Sequence, residues 1–128
     1  MTSDSERDSE RDSERTEWRS CCPISSALDV LGDKWSLLII RDLIVHGPRT
    51  FSQFLESPER ISTNILASRL KMLTQLKLIA RADPNASARN NAFTLTDSGA
   101  ALRPILEGLA DWSHTHLKEF HDGITGIR

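Results

Sequence analysis

The sequence predicts a mainly helical domain with one small β-hairpin, and three stretches carry that prediction. The first runs FSQFLESPERISTNILASRLKMLTQLKL from Phe51. A short amphipathic segment over 51–55 meets a breaker at Ser57-Pro58, and a longer amphipathic segment follows over 63–76. The second stretch is Leu78-Ile79-Ala80-Arg81, a turn-rich tip at Asp83-Pro84-Asn85-Ala86-Ser87, and Ala92-Phe93-Thr94-Leu95, which together read as two strands of a hairpin. The third is a long series of apolar residues at helical spacing near the C-terminus. Two helices joined by so short a turn must cross steeply, the helix-turn-helix arrangement. A hairpin directly after the second of them is a wing, so the expected fold is a winged helix-turn-helix.

Each element has its own local cause. Residues 4–15 are three tandem copies of Asp-Ser-Glu-Arg. They contain nothing apolar to bury, so residues 1–17 are expected to be a disordered charged tail, with a transient helix as the alternative. Pro23 suits the first turn of a helix over 24–31 that Gly32 closes. Asp33 then caps a helix over 34–45, with Trp35, Leu38, Ile39 and Leu43 as its expected core face, and His46-Gly47-Pro48 stops it. The helix-turn-helix begins at Thr50. After the hairpin, Thr96 caps a last helix over 97–120, with Leu102, Ile105, Leu106, Leu109, Trp112, Leu117 and Phe120 at helical spacing and Pro104 as a point of bending. That stripe is long for a domain over 18–122, and it is expected to be covered by a second copy of the chain. Residues 123–128 are expected to form a flexible C-terminus.

The second helix of the pair carries the candidate chemistry. At ~100° per residue, Ile65, Leu66, Leu70, Leu73 and Leu76 fall on one side, while Asn64, Ala67, Ser68, Lys71 and Gln75 fall on the other. Ser62 is an expected N-cap, its hydroxyl accepting from a first-turn N–H. The outer face holds amide, hydroxyl and ammonium groups and no acid. An Asn bonds an adenine edge bidentately, and a Lys reaches guanine or phosphate. Ser62, Thr63, Asn64, Ser68 and Lys71 are therefore candidate contacts to double-stranded DNA. Arg69 lies nearer the apolar side, where its stem covers the core edge and its head reaches a phosphate or a carboxylate. Arg49 precedes the pair, and Arg89, Asn90 and Asn91 stand at the hairpin tip, placed to touch minor groove or backbone.

Charge supports a polyanionic partner once the tail is set aside. The whole chain has a formal net charge of −2, yet residues 1–17 hold seven acids and three arginines. Residues 49–81 hold Arg49, Arg60, Arg69, Lys71, Lys77 and Arg81 against Glu56 and Glu59. Positive charge thus collects where the helix-turn-helix lies. No apolar run suits a membrane span and no secretory signal is visible, so a cytoplasmic protein is expected.

Local words point further. Cys22-Pro23 is followed by Ala27-Leu28-Asp29-Val30-Leu31-Gly32, Lys34-Trp35 and Leu37-Leu38-Ile39-Ile40-Arg41-Asp42-Leu43, then Gly47-Pro48-Arg49 and Phe51-Ser52. Ile61-Ser62, Leu66, Arg69-Leu70-Lys71, Leu73, Leu95-Thr96 and Gly99 complete the set. Over residues 21–117 the chain resembles the HxlR-type family of bacterial winged-helix transcriptional regulators, related to the MarR type. The resemblance implies a homodimer formed through N- and C-terminal helices, on a two-fold symmetric operator, with one recognition helix per subunit in the major groove. It carries Ser62, Thr63, Asn64 and Ser68 over as groove residues, and Arg69 and Lys71 as the basic positions. The hairpin departs from the family pattern: the family's Pro-Pro-basic stretch before the aromatic strand residue lacks its prolines here, and Arg89 is displaced by one residue.

Cys21 and Cys22 are adjacent, and their alpha carbons lie only ~3.8 Å apart across a trans bond, so no internal disulfide is expected. Cys22 matches a family position that in several members senses oxidants or electrophiles. A thiol at a helix N-terminus also meets the positive end of the helix dipole, a physical route to reactivity. The other reading of Cys22 is structural. His114, His116 and His121 lack ligand spacing, so neither a metal site nor a cofactor is expected. Asp29, Asp33 and Asp42 read as caps or surface groups. With no phosphate loop, nucleophile elbow or zinc-hydrolase motif, the chain is not expected to be an enzyme. Two alternatives remain open: a winged helix used for protein–protein contact, and a regulator answering a small molecule in an apolar pocket between the long last helix and the core, with Trp35 and Trp112 as candidate lining residues.

Overall fold

A computed structural model describes residues 17–83, 85 and 91–126. The tail over 1–16 and the hairpin-tip candidates Arg89 and Asn90 lie outside the described residues. The elements are α1 (Pro23–Leu31), α2 (Ser36–His46), β1 (Arg49–Thr50), α3 (Phe51–Phe54), α4 (Thr63–Gln75), β2 (Ile79–Arg81), β3 (Ala92–Leu95), α5 (Asp97–Ala100) and α6 (Arg103–His116). Mainly helical, with a wing beside the second helix of a helix-turn-helix, this is the expected class.

The sheet has one more strand than the hairpin reading predicts. Its order is β1-β3-β2, all antiparallel, with Arg49 opposite Phe93 on one side and Arg81 opposite Phe93 on the other. Two residues are too few to show a period of two, so β1 left no pattern in the sequence. Its second residue, Thr50, is also the N-cap of α3. The Thr50 hydroxyl accepts from the Gln53 N–H, and the Gln53 side chain accepts from the Thr50 N–H, forming a capping box.

The core forms where α2, α3, α4 and the sheet converge, on Ile39, Ile40, Leu43, Phe54, Leu66, Leu70, Leu73, Ile79 and Phe93. Trp35 and Leu38, expected on the core face of α2, are only half-buried. The Asp33 carboxylate accepts from the N–H groups of Trp35 and Ser36, so the helix proper begins at Ser36 and Trp35 stands at its edge. Lys34 Nζ lies 5.6 Å from the Trp35 ring centroid. Ile65, expected on the buried side of α4, is 38% exposed. It stands ~100° from the Leu66–Leu70–Leu73 stripe, which the broader wheel reading merged with it.

The expected single helix over 97–120 is two helices. The Leu102 N–H turns to the Gly99 carbonyl, and the Leu106 N–H then starts a new ladder on Leu102. Pro104 falls in the first turn of α6, where its missing N–H costs nothing, so it opens a helix instead of bending one. Gly99 is needed where it is: a Cβ there would lie 2.0 Å from the Leu78 carbonyl oxygen. That close approach seats α5 against the end of α4. Leu102 and Leu106 reach the core, whereas Ile105, Leu109, Trp112 and Phe120 face outward, as do Ile24 and Leu28 of α1.

Candidate nucleic-acid interface

The recognition helix is positioned at both ends by hydrogen bonds to its own backbone. Ser62 Oγ accepts from the Ile65 N–H at 3.3 Å, the expected cap. At the other end the Lys77 N–H donates to the Thr74 carbonyl and the Leu78 N–H to the Leu73 carbonyl, both at 3.0 Å. These are the paired bonds of a Schellman motif, and Lys77 occupies its left-handed position at φ 63°. The Ser98 hydroxyl donates to the Lys77 carbonyl, joining α4 to α5.

Ser62, Thr63, Asn64, Ser68 and Lys71 are all exposed. Asn64, Ser68, Lys71 and Gln75 face away from the Leu66–Leu70–Leu73 stripe that anchors α4 in the core. Of the three candidate arginines, the two among the described residues, Arg49 and Arg69, are drawn toward the body. Arg69 is half-buried, with Nη1 3.8 Å from Asp33 Oδ1 and 3.9 Å from Met72 Sδ. Of the two partners the sequence offered it, phosphate or carboxylate, the carboxylate is satisfied within the fold. Arg49 Nη1 donates to the Gln53 carbonyl at 2.6 Å. Asn91, read from sequence as a possible groove contact, is instead buried at 2% exposure. Its amide donates to the Asp83 carbonyl and accepts from the Asp83 N–H, closing the base of the hairpin.

Sequence reading missed a polar cluster behind the helix-turn-helix. Asp42, read as a cap or surface group, is 4% exposed and sits within the buried arc of α2. Arg41 donates from Nε and Nη2 to Asp42 Oδ1 at 3.0 and 2.8 Å. The same guanidinium grips both oxygens of Glu59 at 2.6 and 2.8 Å, and Ser57 Oγ donates to Asp42 Oδ2. Ser57 and Glu59 belong to the turn between α3 and α4, so the cluster ties that turn to α2. The hydrogen bond from Arg41 holds the Glu59 carboxyl below its ordinary range, and the two carboxylates raise Arg41 further above its own. An acid on an apolar helical face was the available signal for Asp42. Arg60, also missed, is exposed in the same turn with φ 60°.

Cys21 and Cys22 are both exposed free thiols. Cys22 is the N-cap residue of α1, and its side chain makes no capping bond. Among the described residues, no group of three or more His, Cys, Asp or Glu side chains is placed to hold a metal ion. Nor is any helix among them long and apolar enough to cross a membrane.

Known proteins share this arrangement. A family model for the HxlR-like helix-turn-helix matches residues 30–121. The HTH-type transcriptional regulator YodB of Bacillus subtilis (strain 168) is 32% identical over 93 residues, covering 73% of this chain and 82% of that protein. The reduced form of YodB matches with a TM-score of 0.63 at 33% identity, over 76% of this chain and 95% of that one. A quinone-bound form of YodB matches at 0.62 and 34% identity, over 73% and 98%. The redox regulator HypR in its oxidised form matches at 0.65 and 25% identity, over 74% and 97%. A capped, acid-free second helix beside a three-stranded wing thus occurs here on a sequence that matches transcriptional regulators. The chain belongs to the HxlR-like helix-turn-helix family of DNA-binding transcriptional regulators.

Proposed function

We propose that two copies of this chain bind a palindromic operator sequence-specifically, each inserting α4 into the major groove, and that oxidation or electrophile attack at Cys22 releases them. The observation that carries the DNA reading is the outer face of α4. Thr63, Asn64, Ser68 and Lys71 are exposed together on a helix that contains no acid. A protein-docking helix would more often present apolar groups there. Ser62, Thr63, Asn64 and Ser68 are the proposed groove contacts, with Lys71 reaching base or phosphate. Arg49 and Arg69 would have to release their internal partners to join them, and Arg89 and Asn90 are proposed to reach DNA from the hairpin tip. In a two-fold complex the half-sites would lie about one helical turn, roughly 34 Å, apart.

The homodimer is supported by the outward apolar residues of α1 and α6, Ile24 at 71% and Ile105 and Trp112 at 54% exposure. Exposed apolar groups on two terminal helices are costly in water and cease to be so against a second copy.

The redox part is supported by the exposure of Cys22 at a helix start and by the quinone-bound and oxidised states in which YodB and HypR have been solved. A hydroperoxide would take two electrons from two such thiols, leaving an inter-subunit disulfide, water and an alcohol. A quinone would add one thiol sulfur to a ring carbon and take up its proton, becoming a hydroquinone. Either product changes what lies at the start of α1, on the proposed dimer face.

The deciding experiment is binding of the reduced protein to the DNA upstream of its own gene, against excess random competitor. Competitor-resistant binding is expected; loss of all binding at low salt would favour the protein-docking reading. Adding oxidant should then release wild-type protein and leave Cys22→Ser bound. An unchanged oxidant response in Cys22→Ser would end the sensing part alone.

A further inference from the structure

Among the described residues, two that are not glycine take a left-handed backbone, and both are cations at an end of the recognition helix. Arg60 stands ahead of α4 and Lys77 behind it, at φ 60° and 63°. Lys77 has a reason within the fold: it closes the Schellman motif, and the C-terminal end of a helix favours a cation. Arg60 has no such reason. It lies two residues ahead of the Ser62 cap, at the end of α4 that favours anions. Its N–H donates to the Ser57 carbonyl at 3.1 Å, a bond that any residue but proline would make. Glycine adopts this left-handed conformation freely, whereas a side chain with a Cβ adopts it at a cost.

Nothing that the side chain does inside the fold offsets that cost. It is exposed, and its guanidinium has no ion-pair or hydrogen-bond partner among the described residues. The neighbouring acid, Glu59, is taken: Arg41 grips both of its oxygens at 2.6 and 2.8 Å. On the other side Ile61 is buried in the core. Arg60 is therefore clamped between two anchored neighbours, with its backbone fixed and its guanidinium left to solvent. A cation held this way is prepared for an external anion, because its backbone is ordered before anything binds. Geometry names the anion. Two residues span at most about 7 Å, so Arg60 begins within that distance of Ser62. With Ser62, Thr63 and Asn64 at base edges in a groove about 12 Å wide, Arg60 falls at the phosphate wall of that groove.

We propose that Arg60 is a backbone anchor for DNA: the strained turn between α3 and α4 presents its guanidinium to a phosphate at the groove edge and holds α4 against the duplex. The left-handed conformation lowers the stability of the fold and aims the contact. This role rests on the DNA-binding reading above. It adds to that reading a contact made from the turn and not from α4, one that carries no sequence information and positions the side chains that do.

The test sets Arg60→Gly against Lys77→Gly and Arg60→Lys in the full-length protein. Both glycine variants remove one cation and one left-handed side chain, so the change in net charge and the relief of strain are matched. Both should unfold at higher urea than wild type, which also verifies that they fold. Arg60→Gly should bind the DNA upstream of its own gene and random DNA about tenfold more weakly alike. Its slope of log affinity against log salt should fall by about one per subunit. Lys77→Gly should stay near wild-type affinity, and Arg60→Lys, which keeps the charge, should recover the slope. Wild-type affinity and slope in Arg60→Gly would overturn the anchor. So would an equal loss in Lys77→Gly, which would reduce the effect to net charge. A lower urea midpoint in Arg60→Gly would overturn it too, since the side chain would then serve the fold. Wild-type protein that binds no DNA at low salt would sink the DNA reading itself, whereas DNA binding that Arg60→Gly leaves unchanged would sink the anchor alone.

Discussion

Asn64 and Lys71 illustrate how much a single side chain can be asked to do on α4. Both are exposed on the same outward surface, but an amide reads a base edge and an ammonium answers a phosphate. Asn64→Ala should cost about 1–3 kcal/mol on the operator and little on random DNA, measured by competition binding. Equal loss on all sequences would remove Asn64 from the base readers. Lys71→Ala should weaken binding to every sequence and reduce the slope of log affinity against log salt by about one. These residues were legible in the sequence because period 3.6 alone separates them from the leucine stripe. Arg69 was not, because its position nearer the apolar side allowed either phosphate or carboxylate. Asp33, the carboxylate it meets, is brought within 3.8 Å only by the packing of α2's leading turn against α4.

At the scale of the element, the recognition helix depends on what holds its ends. Lys77 takes a left-handed conformation that glycine adopts freely and other residues adopt at a cost. Lys77→Gly should therefore raise stability by about 0.5–1 kcal/mol in urea unfolding. A fall would mean that the lysine side chain contributes a compensating contact. The turn ahead of α4 is held by Arg41, Asp42, Ser57 and Glu59. Asp42→Ala leaves the Arg41 guanidinium, whose side chain is 14% exposed, with half its partners, and should cost about 3–5 kcal/mol. The same cluster makes a pH prediction. Glu59 has its carboxyl lowered from an ordinary value of 4.5, so its contribution is complete above that pH and is lost as pH falls through the lower folded value. Arg41, shifted upward, stays charged throughout. Wild type should thus lose stability on acidification below about pH 4.5 more steeply than Glu59→Gln, in which that titration is absent. Parallel curves for the two proteins would show that the pair contributes nothing measurable.

Over the whole molecule, the described chain buries its central elements and leaves its two terminal helices apolar on the outside. Ile39, Leu43, Phe54, Leu66, Leu73 and Ile79 form one core, while α1 buries no residue at all. Leu109, 49% exposed on α6, makes little of the monomer's core, so Leu109→Glu should leave the fold intact. It should weaken the proposed dimer by at least about 2 kcal/mol, read by sedimentation equilibrium, and operator affinity should fall with it. A monomeric wild type, or a Leu109→Glu protein that dimerises unchanged, would place the partner elsewhere.

What the sequence by itself determined was everything that local periodicity and capping express: the order of the helices, the caps at Ser62 and Thr96, the hairpin, and the polar face of α4. These follow from neighbours within one or two turns, and the matches to HxlR-type words reinforced them. The tertiary structure decided the rest. It recruited Arg49 and Thr50 as a third strand through pairing with β3. It broke the last helix where Gly99 meets the Leu78 carbonyl, sank Asp42 into a charge cluster, and drew Arg69 to Asp33. Each of these depends on groups distant in the chain coming within a few ångströms, and a pattern of three or four residues cannot register such approaches.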